Sequence, residues 1–112
     1  MTDPKILAIY EKMVATQPGI ERKGKANPYT SMNGNMFSFI TKEGEIALRL
    51  PEETRTRMRA EPVIQYGAVM RGYALVPKSK LSRPAELAKM FAECVAYAKT
   101  LPAKETNPKK SR

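Results

Sequence analysis

The sequence predicts an α+β fold, an antiparallel sheet covered by helices on one face, in the order helix, sheet strands, helix, two strands, long helix. Three observations predict it. Apolar residues recur at helical spacing near both ends of the chain, and two strand-like runs flank Lys42-Glu43-Gly44 in the middle. The 112 residues are 42% hydrophobic and 28% charged, a composition that suits one globular domain with one core. That domain is expected over residues 1–101, with a basic disordered tail over 102–112.

The first helix is expected over residues 4–16. Asp3 can accept from the free N–H groups of the first turn, and Pro4 has no N–H to leave unpaired there. Ile6, Ile9, Tyr10, Met13 and Val14 form one apolar stripe, and Gln17-Pro18-Gly19 stops the helix. Gly19, Gly24, Pro28 and Gly34 then interrupt any pattern, so a short strand at 20–23 and a long connection are expected.

The runs 35–41 and 45–50 should form a hairpin. Lys42-Glu43-Gly44 suits a three-residue loop with Gly44 in the left-handed region. That loop pairs Thr41 with Glu45, Phe39 with Ala47 and Phe37 with Arg49 on one face. Ile40 with Ile46, Ser38 with Leu48 and Met36 with Leu50 fall on the other. The second set is the more apolar and belongs beneath the helices, which points Phe37 and Phe39 outward beside Arg49.

Pro51 opens a short helix of about two turns. Glu52 and Glu53 lie in its first turn, Arg57 and Arg59 in its last, and Glu53 is spaced to pair with Arg57. Pro62 closes it, and short strands follow at 63–66 and 73–76, separated by 67–72. The last helix takes Ser82 as its cap and Pro84 in its first turn. Its stripe is Leu87, Met90, Phe91, Cys94, Tyr97, Ala98 and Leu101, and Pro102 ends it. Within that stripe Cys94 reads as a small buried core residue. Beyond it Lys104, Lys109, Lys110 and Arg112 stand against Glu105 with no large apolar side chain, the composition of a disordered tail.

The inventory excludes much chemistry. Histidine is absent, and with it the only side chain that titrates near neutrality unperturbed. His-dependent nucleophiles and His-containing zinc sites are therefore excluded. One cysteine builds neither a disulfide nor an all-thiolate site, and Asp3 is the only aspartate. No phosphate-cradling glycine motif occurs. No catalytic residue, metal or cofactor is expected, and the chain does not read as an enzyme. No apolar run reaches the ~18 residues of a membrane span. The first residues lack the basic-then-apolar pattern of a secretory signal, and with a lone cysteine a cytoplasmic setting is expected. Tyr29, Tyr66 and Tyr73 read as partly buried amphipathic residues.

The stretch from Gly24 to Phe39, with Asn27-Pro28-Tyr29-Thr30-Ser31 and Met36-Phe37, resembles the TfoX N-terminal domain superfamily. Ile46-Ala47-Leu48-Arg49-Leu50-Pro51, Tyr73 with Val76-Pro77, and the long closing helix extend the likeness over roughly residues 5–104. The resemblance implies an α-β(3)-α-β(2)-α fold in two layers, similar to type III secretion chaperones. It also implies a regulatory role, since the superfamily includes regulators of bacterial competence in which this domain precedes a separate C-terminal domain. It supplies no catalytic residues.

Two readings of function follow. The first is a non-catalytic regulatory or adaptor domain acting by protein–protein contact, with another protein or a second copy of itself. Its expected contact residues are Phe37, Phe39 and Arg49, because an outward aromatic pair would bury ~150–250 Å² per ring if covered. The alternative is weak nucleic-acid binding, for which the net charge of +9 supplies an electrostatic basis. Its candidate phosphate contacts are Arg22, Lys23, Lys25, Arg55, Arg59 and the tail.

Overall fold

Asp3 accepts from the Lys5 backbone N–H at 2.9 Å and Pro4 takes the first helical position, so helix α1 runs Pro4–Ala15. In the computed structural model, which describes residues 3–25 and 27–102, α1 buries Tyr10, Met13 and Val14. Ile6 and Ile9, higher on the same stripe, are partly buried against the core.

Where a long connection was expected, Tyr29–Met32 forms strand β1. It turns through Asn33 and Gly34, at φ of 52° and 81°, into β2 (Asn35–Ile40). Such a two-residue turn needs positive φ at both positions, which Asn and Gly adopt at least cost. The strand expected at 20–23 shrinks to a single bridge between Lys23 and Tyr29. The Asn-Gly turn places the paired segment after Pro28 instead.

The next hairpin is built as expected. Gly44 has φ 83°, its N–H donates to the Thr41 carbonyl at 2.8 Å, and Thr41 N–H donates to Glu45 O at 2.7 Å. Strand β3 (Ile46–Arg49) then pairs Ile46 with Ile40, Ala47 with Phe39 and Leu48 with Ser38.

Past Ser38 the expected sidedness fails. Thr30 of β1 faces Ser38, but Ser31 faces Met36, which leaves Phe37 as an extra residue with no counterpart on β1. A bulge of one residue turns the side chains beyond it to the other face. Phe37 therefore points under the helices with Ile40 and Leu48, not outward beside Phe39.

Helix α3 (Pro84–Thr100) lies over this face and buries Leu87, Phe91, Cys94, Val95 and Ala98. Phe91 stacks on Phe37 with centroids 6.1 Å apart. Ser82 does not cap the helix: Arg83 holds the cap position without a side-chain bond. Glu86 in the first turn is held instead by Lys80 and Arg83, whose donors keep its carboxyl below the usual range. Lys80 arrives on a short 3-10 turn at Lys78–Lys80.

Helix α2 (Glu52–Arg57) packs beside α3. Thr54 and Arg57 both donate to the Glu93 carboxylate, at 2.9 and 3.3 Å, so Arg57 pairs across to α3 and not with Glu53 along its own helix. Strand β6 (Tyr73–Leu75) completes an antiparallel sheet of order β1-β2-β3-β6. Between α2 and β6 the chain forms a second, two-stranded ribbon from β4 (Ile64–Gln65) and β5 (Ala68–Val69). The fold is α+β as expected, with one strand more than the α-β(3)-α-β(2)-α order and a ribbon that crosses the sheet's second face.

The main core also holds a chain of buried hydroxyls. Tyr10 Oη lies 2.7 Å from Ser38 Oγ, which in turn bonds Thr30 Oγ1. Burial pushes the Tyr10 phenol up to about 12. These bonds tie α1 to β2 and β1 and satisfy polar groups that helix packing removes from water. Among the described residues, no helix is long and apolar enough to cross a membrane. Pro102 apart, the tail expected over 102–112 lies outside the described residues.

Candidate functional site

On the face away from α1 and α3, β2 contributes Phe39, β3 Ala47 and β6 Tyr73. Phe39 and Tyr73 meet edge to face, centroids 5.2 Å apart at 73°. Tyr73 Oη donates to the Met36 carbonyl at 2.6 Å, and burial pushes this phenol up to about 12 against the opposing influence of Arg49. Phe39 thus occupies the face that strand alternation assigns it. It is nevertheless only 4% exposed, because Val63 of the following segment packs over it.

The expected contact trio therefore does not exist as a surface. Phe37 is 0% exposed on the opposite side of the sheet, Phe39 is covered, and Arg49 is half-buried near Gly72 and Tyr73. Alternation along β2 hid both facts. One needs the bulge, and the other needs the 61–72 segment folded over the sheet.

That covering segment carries the exposed apolar surface itself. Ile64 pairs with Val69 and Gln65 with Ala68 in the β4–β5 ribbon, and Met70 N–H donates to Val63 O at 2.8 Å. Opposed residues share a face and successive residues alternate. With Val63 turned to Phe39, Ile64 and Val69 must turn to solvent, and they are 54% and 62% exposed. Tyr66, at the tip, is 78% exposed.

The ribbon is anchored at its tip. Gln65 Oε1 accepts from the Lys42 backbone N–H at 2.9 Å, and Lys42 Nζ sits 5.6 Å from the Tyr66 ring centroid. Tyr66 and Gly67 hold φ of 52° and 77°. The first is unfavourable for a bulky side chain, and Asn, Asp or Gly is the usual occupant. The expectation that Tyr66 is partly buried is therefore wrong. The available signal was Tyr66-Gly67 between Val63-Ile64 and Val69-Met70, a short hairpin pattern whose turn residue is atypical.

The cations expected to contact phosphate are divided. Arg22 donates to Gly24 O at 2.6 Å and lies 3.3 Å from Glu11 without hydrogen-bond alignment, and Lys23 reaches Ser31 Oγ at 3.1 Å. Arg55 Nε donates to Leu50 O at 3.0 Å, while Lys25 and Arg59 are exposed. The first three positions precede the edge strand β1, and the last two belong to α2 and its exit, so sheet order does not gather them on one strand or helix.

Among the described residues, no three His, Cys, Asp or Glu side chains converge to hold a metal ion. Cys94 is fully buried and its thiol is pushed up to about 12 by desolvation, as a core residue rather than a nucleophile. No family model, no curated protein and no solved structure matches this chain.

Proposed function

We propose that this chain is a non-catalytic contact domain that docks a protein partner through the β4–β5 ribbon, in a regulatory or adaptor capacity. One observation carries the reading. Among the described residues the large exposed apolar side chains, Ile64, Tyr66 and Val69, all stand on this one ribbon, and Tyr66 keeps its ring at a turn position that favours Asn or Gly. The absence of histidine supports a role without acid–base chemistry. The buried, reduced Cys94 supports a cytoplasmic setting. The resemblance to the TfoX N-terminal domain superfamily supports regulation, with transcription or competence as its sphere.

The test compares the wild-type chain with the triple variant Ile64→Ser, Tyr66→Ser, Val69→Ser as bait in extracts of its native cell. A protein retained by the first and lost by the second, which then forms a complex of fixed stoichiometry with the purified chain, is the expected result. Identical retention by both baits removes the ribbon as the contact surface. Capture of nucleic acid alone favours the alternative reading, in which the +9 charge meets phosphate.

A further inference from the structure

Beside the ribbon lies a cleft of about 440 Å³, bounded by the exit of α2, the start of the 61–72 segment and the Gly72 corner. Val69 and Met70 form its apolar wall, and Arg55 of α2 and Arg71 of the turn between β5 and β6 line it as well. Arg49 is close behind, since a methyl group added at Gly72 would meet its Nε at 3.7 Å. Glu52 and Glu61 share the rim, yet no carboxylate among the described residues pairs with Arg49, Arg55 or Arg71. Arg71 is exposed and Arg55 is half-buried, with its Nε committed to Leu50 O and its remaining donors without an acceptor among the described residues. Guanidinium groups in this setting match a carboxylate in planar, two-point geometry.

We infer that the partner's docking segment is an acidic, apolar peptide stretch. An aspartate or glutamate enters the cleft between Arg55 and Arg71, and neighbouring apolar side chains cover Val69 and Ile64. This rests on the ribbon being the contact surface and adds the chemistry of what it contacts. Charge decides among occupants. A second copy brings +9 against a chain that itself carries +9, so self-docking works against long-range repulsion. Nucleic acid leaves the aliphatic pair Ile64 and Val69 uncovered by bases or phosphate. A flat anionic membrane places its headgroups against Glu52 and Glu61 as well as against the arginines.

The probes are two fluorescein-labelled decapeptides of alternating leucine and glutamate or alternating leucine and lysine, an oligothymidylate, and vesicles of phosphatidylcholine with phosphatidylserine. Anisotropy and co-sedimentation are read with the full chain. The glutamate peptide is expected to bind at least about tenfold more tightly than the lysine peptide. Arg71→Gln should weaken it by about fivefold, the upper range for an exposed ion pair. Arg55→Gln serves as the second charge variant, with circular dichroism confirming its fold. Three results overturn the inference: equal binding of the two peptides, no effect of either arginine variant, or tighter binding of oligothymidylate or vesicles. So does a wild-type chain that is dimeric through the ribbon, or one that binds no peptide at all. Loss of both peptides in Ile64→Ser with Val69→Ser, without any charge preference, keeps the ribbon as contact surface and discards only its acidic partner. Glutamate-peptide binding that survives this double variant discards the ribbon.

Discussion

The thiol of Cys94 donates to the carbonyl of Phe37, 3.1 Å away across the interface between α3 and β2. Phe37 is the bulged residue, so its main chain lies outside the regular pairing of β1 with β2, and the helix supplies the missing partner. On the other face Tyr73 Oη donates to the carbonyl of the neighbouring Met36. The irregularity in β2 is thus held from both sides by side chains that arrive from later in the chain.

Cys94→Ala should cost about 1–3 kcal/mol, because it strands a buried carbonyl and leaves a small void. Urea unfolding at neutral pH measures it. In the native state the thiol should resist a disulfide reagent and react only once denaturant is added.

Phe37→Ala should cost about 3–5 kcal/mol, the range for a fully buried ring, since it removes the stack on Phe91. A change in oligomeric mass without loss of stability would contradict the burial of Phe37. The thermal midpoint and the sedimentation coefficient, read together, decide between them.

Alkali should destabilise the fold before acid chemistry matters at these sites. The Tyr10 and Tyr73 phenols rise from 10.0 to about 12 and the Cys94 thiol from 9.0 to about 12, each chiefly because burial disfavours its anion. The folded state then holds protons that the unfolded state has released, so stability is complete below pH ~9 and falls as pH climbs toward ~12. Urea midpoints taken at intervals from neutrality to strong alkali should show that decline. Tyr10→Phe should start about 1 kcal/mol lower, for the lost bond to Ser38, and decline less steeply.

Tyr66→Asn should raise stability by about 1 kcal/mol, because Asn tolerates the left-handed conformation that strains a tyrosine. The same substitution should weaken partner capture, a trade between stability and contact. Denaturation midpoints and retention of the partner test the two halves. A midpoint at or below wild type would show that the tip carries no strain.

Short-range physics made several elements legible in the sequence alone. Asp3-Pro4 and the helical stripe dictate α1, and the apolar spacing from Leu87 to Ala98 dictates α3. The loop ending in Gly44 sets the register of Ile40 against Ile46, because turn geometry acts over a few residues. The contact surface lay beyond that reach. Whether Phe37 faces the helices depends on β1 offering one residue fewer than β2, and whether Phe39 meets solvent depends on Val63 crossing the sheet. Alternation within one strand cannot report what a distant segment pairs with or covers. Local sequence therefore determined the helices and the central hairpin, while tertiary packing decided which apolar side chains were left facing solvent.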